Sequence, residues 1–150
     1  MGPNQGRDGT ESTAAAFDLR EHTADVAVEA TGDALGTTFA AVAAGLTAAH
    51  TESVPATGGD SFGFGVDADS REALLFDYLD ELVYRRDARG VLPTDHEVDV
   101  HWNGTWVAEA YARGVPVEAV DAREIKAVTY SEMALEETAD GWRAYVVFDV

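Results

Sequence analysis

Two hydrophobic periods run along this chain, and their order predicts its architecture. Asp25 to Ala30 alternates, with Val26, Val28 and Ala30 on one side and Asp25, Ala27 and Glu29 on the other. That is the pattern of a half-buried strand. Thr31-Gly32-Asp33 reads as a turn ending in a helix N-cap. Leu35, Phe39, Val42 and Leu46 then recur at helical spacing and predict a first amphipathic helix to about Ala49. Its alanines suit close packing on a flat surface. A short strand over Ser61 to Val66 follows the Pro55–Asp60 loop. Asp69 with Glu72 reads as a capping box. Leu74, Leu75, Tyr78, Leu79, Leu82 and Val83 form the stripe of a second helix that stops near Gly90.

Beyond Gly90 the period changes to two. His96–Trp102 and Thr105–Tyr111 flank Asn103-Gly104, the strongest short hairpin signal. A strand over Glu124–Met133 and another over Trp142–Val150 flank Asp140-Gly141, which predicts a second hairpin. In the first of these, Ile125, Ala127, Met133 and Leu135 share one face, and Lys126, Val128, Tyr130 and Glu132 the other. Strand, helix, strand, helix and two hairpins imply an α+β two-layer sandwich, with a mainly antiparallel mixed sheet and both helices packed on one face. Residues 1–16 are aperiodic and read as a disordered leader, leaving 17–150 as a single domain.

Charge narrows the range of partners. Twenty-eight acids against ten bases give a net charge of -18. Unaided binding to nucleic acid or anionic lipid needs the opposite balance. The acids are spread evenly, and nine of the ten bases are arginine, a style resembling proteins of salt-accumulating halophiles. With no cysteine, thiolate catalysis and disulfides are excluded. No apolar run reaches membrane-spanning length and no signal pattern opens the chain, so the expectation is a soluble cytoplasmic protein.

Stand-alone catalytic motifs are missing. Gly63-Phe64-Gly65 is too short for a dinucleotide fingerprint and fits close strand packing better. Asp67-Ala68-Asp69 opens like a calcium loop, but Glu72 and Tyr78 occupy positions that need Gly and Glu. His22, His50, His96 and His101 have no zinc-hydrolase spacing. What remains is charge at strand ends. Asp25 opens the first strand, Asp149 closes the last, and Val150 adds an α-carboxylate. Carboxylates brought together repel unless a cation joins them, and hard oxygens suit calcium or magnesium. Taken singly, each acid is also one more solvated carboxylate. Lys126 is the only lysine of the chain. Composition leaves open whether it is a chance survivor on a solvated face or a chosen ammonium.

Glu21-His22-Thr23-Ala24-Asp25-Val26, Lys126-Ala127-Val128-Thr129-Tyr130 and the closing Trp142–Val150 together resemble the archease family. The likeness spans Phe17 to Val150 and is similar in fold to the sandwich above. It implies a non-catalytic activator of the tRNA-splicing RNA ligase, which joins a 2′,3′-cyclic phosphate end to a 5′-hydroxyl end with GTP and manganese. The implied role is to promote guanylylation and multiple turnover of that ligase. The resemblance also implies a calcium site, or one for magnesium or another divalent cation, at Asp25, Asp149 and Val150, and a part for Lys126 in ligase activation. Many members carry His where this chain has Ser131. An alternative from another class is a general chaperone or modulator of a tRNA-modifying enzyme such as a methyltransferase, acting through exposed apolar area.

Overall fold

The computed structural model describes residues 17–19 and 24–150; the leader expected over residues 1–16 lies outside them. The elements are β1 (Phe17–Leu19), β2 (Ala24–Gly32), α1 (Leu35–His50), β3 (Asp60–Ala68), α2 (Arg71–Arg89), β4 (Val91–Trp102) and β5 (Trp106–Pro116). A 3-10 turn (Val117–Ala119), β6 (Ala127–Thr138) and β7 (Gly141–Asp149) complete the chain. The α+β sandwich is as the periods predict, with a sheet layer made of two sheets. One has the order β1-β2-β7-β6, the other β3-β5-β4, and every pairing is antiparallel. The chain leaves the first sheet after β2 and returns to it after β5, which stops at Pro116. No helix among the described residues is long and apolar enough to cross a membrane.

Both helices lie against both sheets. α1 packs on β2 and β4, and α2 on β6, β3 and β4. The inward rungs of the first sheet are Val26–Phe148–Val128, Val28–Val146 and Ala30–Ala144–Leu135. Those of the second are Phe64–Ala110–Val98 and Val66–Ala108–Val100. Small alanines on the central strand β5 leave room for the α2 stripe. All six predicted stripe residues are buried, and Tyr78 stacks between Phe39 and Phe64 with ring centroids 5.9 and 6.0 Å away. α1 sits close enough that a Cβ on Gly45 would fall 2.5 Å from Val28 Cγ1, and one on Gly36 2.3 Å from the Val98 carbonyl oxygen.

Chain reversals follow the sequence closely, and both helix starts fall one residue later than expected. Gly90 ends α2 in the left-handed region at φ 67°, and Gly104 turns the β4–β5 hairpin at φ 77°. α1 is capped at Ala34, whose N–H donates to the Thr37 hydroxyl at 3.1 Å; that hydroxyl lies 3.0 Å from Asp33 Oδ1. Ser70, rather than Asp69, caps α2 by accepting the Ala73 N–H at 3.1 Å. Gly63 has the close-packing role expected of it: a Cβ there would lie 2.9 Å from the Tyr111 ring.

Candidate functional site

The first and last long strands of the domain are neighbours, and this places the candidate acids. In the β2–β7 register Asp25 is the direct partner of Asp149, and Asp149 is in turn the partner of Ala127 on β6. β1 adds Asp18 opposite Asp25. Among the residues whose side chains are described, one rung across β2, β7 and β6 therefore reads Asp25, Asp149, Ala127. Directly opposed residues project from the same face with Cβ atoms roughly 4.5–5.5 Å apart. The neighbouring rung, Val26–Phe148–Val128, is buried against the helices, so the acidic rung belongs to the face turned away from them. Asp25 and Asp149 are both exposed and Val150 is half-buried. Asp18 was not picked out from the sequence, although its place between Phe17 and Leu19 carries the alternation of a short strand.

Lys126 stands next to that rung along the chain, just outside the ladder. The strand expected over Glu124–Met133 starts only at Ala127, and residues 121–126 are irregular. The Arg123 N–H donates to the His50 carbonyl at 2.7 Å and its Nε to the Ala49 carbonyl at 2.8 Å, which draws this segment onto the end of α1. Ile125 is fully buried on the way. The Lys126 N–H then donates to the Asp149 carbonyl at 2.8 Å, and its side chain is exposed. The lone lysine is thus tied by its backbone to one of the two facing aspartates.

The expected two-face pattern of this strand breaks at a bulge. The register shifts between Thr129 and Ala134, so that Tyr130 to Met133 stand opposite the single residue Val146. Val128 and Leu135, of opposite parity, are both buried as a result, and Val128 is not on the outer face assigned to it. Tyr130 is half-exposed and its ring stacks on Phe76 of α2 at 5.0 Å. Ser131 lies within the same bulge.

Among the described residues no three His, Cys, Asp or Glu side chains form a metal-binding group. The donor chemistry of the rung nevertheless fits a hard cation. Two aspartates are direct cross-strand partners, and like charges directly opposed destabilise a sheet when nothing joins them.

Two histidines lie in the interior instead. His50 on α1 and His96 on β4 line a narrow pocket with Leu46, Thr47, Leu82, Leu92 and Pro93. His50 Nδ1 meets the Leu46 carbonyl at 3.0 Å, and His96 Nε2 meets the Thr47 hydroxyl at 2.9 Å. Burial lowers both imidazoles to about 4, so each is neutral at pH 7. Among the described residues the hydrogen bonds of the two imidazoles go to Leu46 and Thr47, not to the acidic rung.

Comparison with known proteins decides the family. The model of the Archease protein family (MTH1598/TM1083) matches residues 17–150. This chain belongs to the archease family. The protein archease of Pyrococcus furiosus is 31% identical over 135 residues, covering 87% of this chain and 95% of that one. Its counterpart in Methanosarcina acetivorans is 31% identical over 139 residues, covering 89% and 95%. Among solved structures, Methanobacterium thermoautotrophicum protein 1598 superposes with a TM-score of 0.71 at 20% identity, covering 89% of this chain and 96% of that one. A Thermotoga maritima protein described as an archease and possible chaperone gives 0.60 at 21% identity, with the same coverage. These two likenesses concern the fold. In this archease the family match covers all the segments that carried the resemblance in sequence, from Glu21–Val26 to the closing strand.

Proposed function

We propose that this archease is a non-catalytic activator of the tRNA-splicing RNA ligase, promoting its guanylylation and hence its multiple turnover in tRNA splicing. The observation that supports the reading is that Asp25 and Asp149, from the beginning and the end of the domain, are exposed cross-strand partners, with the Lys126 backbone bonded to Asp149 beside them. Asp25, Asp149 and the Val150 carboxylate would hold a divalent cation, calcium or magnesium, which when bound supplies concentrated positive charge for phosphate oxygens. The chain's own contribution is positional. The β2–β7 ladder fixes the two aspartates, and the Lys126 N–H bond to Asp149 fixes where the ammonium stem begins. An ammonium beside ligated phosphate assists phosphoryl transfer electrostatically, without a covalent step on this protein. The acidic surface fits contact with the enzyme rather than the RNA.

The test is RNA ligation by the cognate ligase under single- and multiple-turnover conditions, with and without the archease. An activator leaves the single-turnover rate of pre-guanylylated ligase unchanged and raises the multiple-turnover rate. Equal multiple-turnover rates with and without it would sink the reading. Rescue of an aggregating methyltransferase, independent of Asp25 and Lys126, would favour the chaperone alternative.

A further inference from the structure

All three tryptophans of the chain meet at the end of the domain opposite the Asp25–Asp149 rung. Trp142 pairs with Gly32, seven residues along β2 from Asp25, roughly 23 Å at the rise of a strand. Arg71, in the first turn of α2, holds its guanidinium carbon 5.5 Å from the Trp106 ring centre and 5.0 Å from that of Trp142. Trp102 meets Trp106 edge-on at 5.5 Å and is 59% exposed. Arg71 thus joins the two hairpins into one plate, and Trp102 is its open face.

The rim of that plate is acidic. Asp69 lies two residues before Arg71, Glu137 is the register partner of Trp142, Asp140 sits in the β6–β7 turn, and Asp33 lies beside Gly141. All four are exposed. Among the described residues, the cations seen at this end are already engaged, Arg71 by the rings and Arg143 by Glu29 and Glu136. An exposed indole at the end of the domain that carries these carboxylates complements a cation on an apolar stem, as in arginine or lysine. Phosphates would be repelled by the same rim. We infer that the tryptophan end is the docking surface for a basic segment of the protein partner, with Trp102 receiving an arginine or lysine side chain within the acidic rim. This rests on the activator reading: one end binds the ligase and the other end acts on it.

Intrinsic fluorescence reads this surface directly, because every tryptophan lies in it. The ligase, an arginine-rich peptide and a single-stranded RNA are titrated into the full chain, with affinities taken from calorimetry. The expected result is a saturable emission change with ligase and peptide and none with RNA. Trp102→Ala should weaken ligase binding roughly tenfold or more, as loss of a central aromatic anchor does, and Trp102→Phe should keep part of it. Tyr111→Ala, which removes an equally exposed ring on the outer face of the second sheet, should change nothing. Trp102→Ala binding the ligase as tightly as wild type would overturn the inference and leave the activator reading standing. A response to RNA alone would assign the plate to nucleic acid and overturn it too. Wild-type protein that neither binds nor activates the ligase would overturn both.

Discussion

Asp25 and Asp149 are direct cross-strand partners, exposed on the face of the first sheet turned away from the helices. Two carboxylates in that relationship repel, at a cost of about 0.2–1 kcal/mol to the ladder in the absence of a counter-ion. Asp25→Asn should therefore raise the Tm slightly in chelator and remove most of the stabilisation that calcium or magnesium confers on wild type. A site held at about 100 times its dissociation constant stabilises by about 2.7 kcal/mol. Thermal unfolding of both proteins with and without the cation decides it. Equal cation-induced shifts in the two would show that the rung binds no metal.

Acid should unfold this protein through its interior. His50 and His96 are both lowered from 6.5 to about 4 by burial. Arg86 and Arg123 reinforce the effect at His50, whereas Asp87 there and Asp95 at His96 oppose it. Between these two values the unfolded chain binds more protons than the folded one. Stability is therefore complete above about pH 6.5 and declines as pH falls toward 4, by up to roughly 3 kcal/mol per histidine. Urea unfolding at pH 7 and pH 5 should show the loss, and a His50→Gln, His96→Gln double variant should show a flatter profile. An unchanged slope in that variant would place the acid sensitivity elsewhere.

Helix α1 offers a case where packing overrides propensity. In an exposed helix Gly→Ala stabilises by about 1 kcal/mol. At Gly45 the new methyl would sit 2.5 Å from Val28 Cγ1, on a strand in the middle of the first sheet. Gly45→Ala should destabilise by about 1–3 kcal/mol, the usual range for overpacking. A rise in Tm would mean that α1 can move off β2 at little cost.

What the sequence disclosed depended on how local the cause was. Gly90 and Asn103-Gly104 act through their own backbone, and both turns are where the residues place them. The helix stripes are periodic over many residues and were equally legible. The caps slipped by one, because Asp33 and Asp69 are cap-forming residues in sequence, whereas the starts are set by the Thr37 hydroxyl accepting the Ala34 N–H and the Ser70 hydroxyl accepting the Ala73 N–H. The strand carrying Lys126 was misread for a non-local reason. Its parity is reversed by a bulge opposite Val146, and its start is held back by bonds from Arg123 to the end of α1. The interior meeting of His50 with His96 left no signal, since neither has a motif and α1 and β4 come together only through the core. Asp25 and Asp149 were legible as strand-end acids. Their pairing rests on a register between the first and last long strands that alternation alone does not determine.

Lys126 can be tested by a lysine–arginine exchange matched with a neutral one. Arg143, across the hairpin, bonds both Glu29 and Glu136 and is itself structural, so it cannot serve as the control for a lysine–arginine exchange. Arg89, exposed in the last turn of α2, is the better choice. Lys126→Arg keeps the charge, and the side chain it alters is exposed and outside the β6 ladder, so folding should be unaffected. Lysine presents a compact ammonium with three rotatable donors, whereas arginine presents a longer planar fork that cannot reproduce a tight point contact with phosphate or carboxylate. If the ammonium acts at the Asp25–Asp149 rung, Lys126→Arg should lower guanylylated ligase formed per unit time by about tenfold or more, the scale of one lost charge-assisted contact. Arg89→Lys should leave it unchanged. Thermal unfolding in the assay buffer checks that both variants are folded. Should Lys126→Arg activate the ligase as well as wild type does, charge alone suffices at this position, and the identity of the only lysine is an accident of composition.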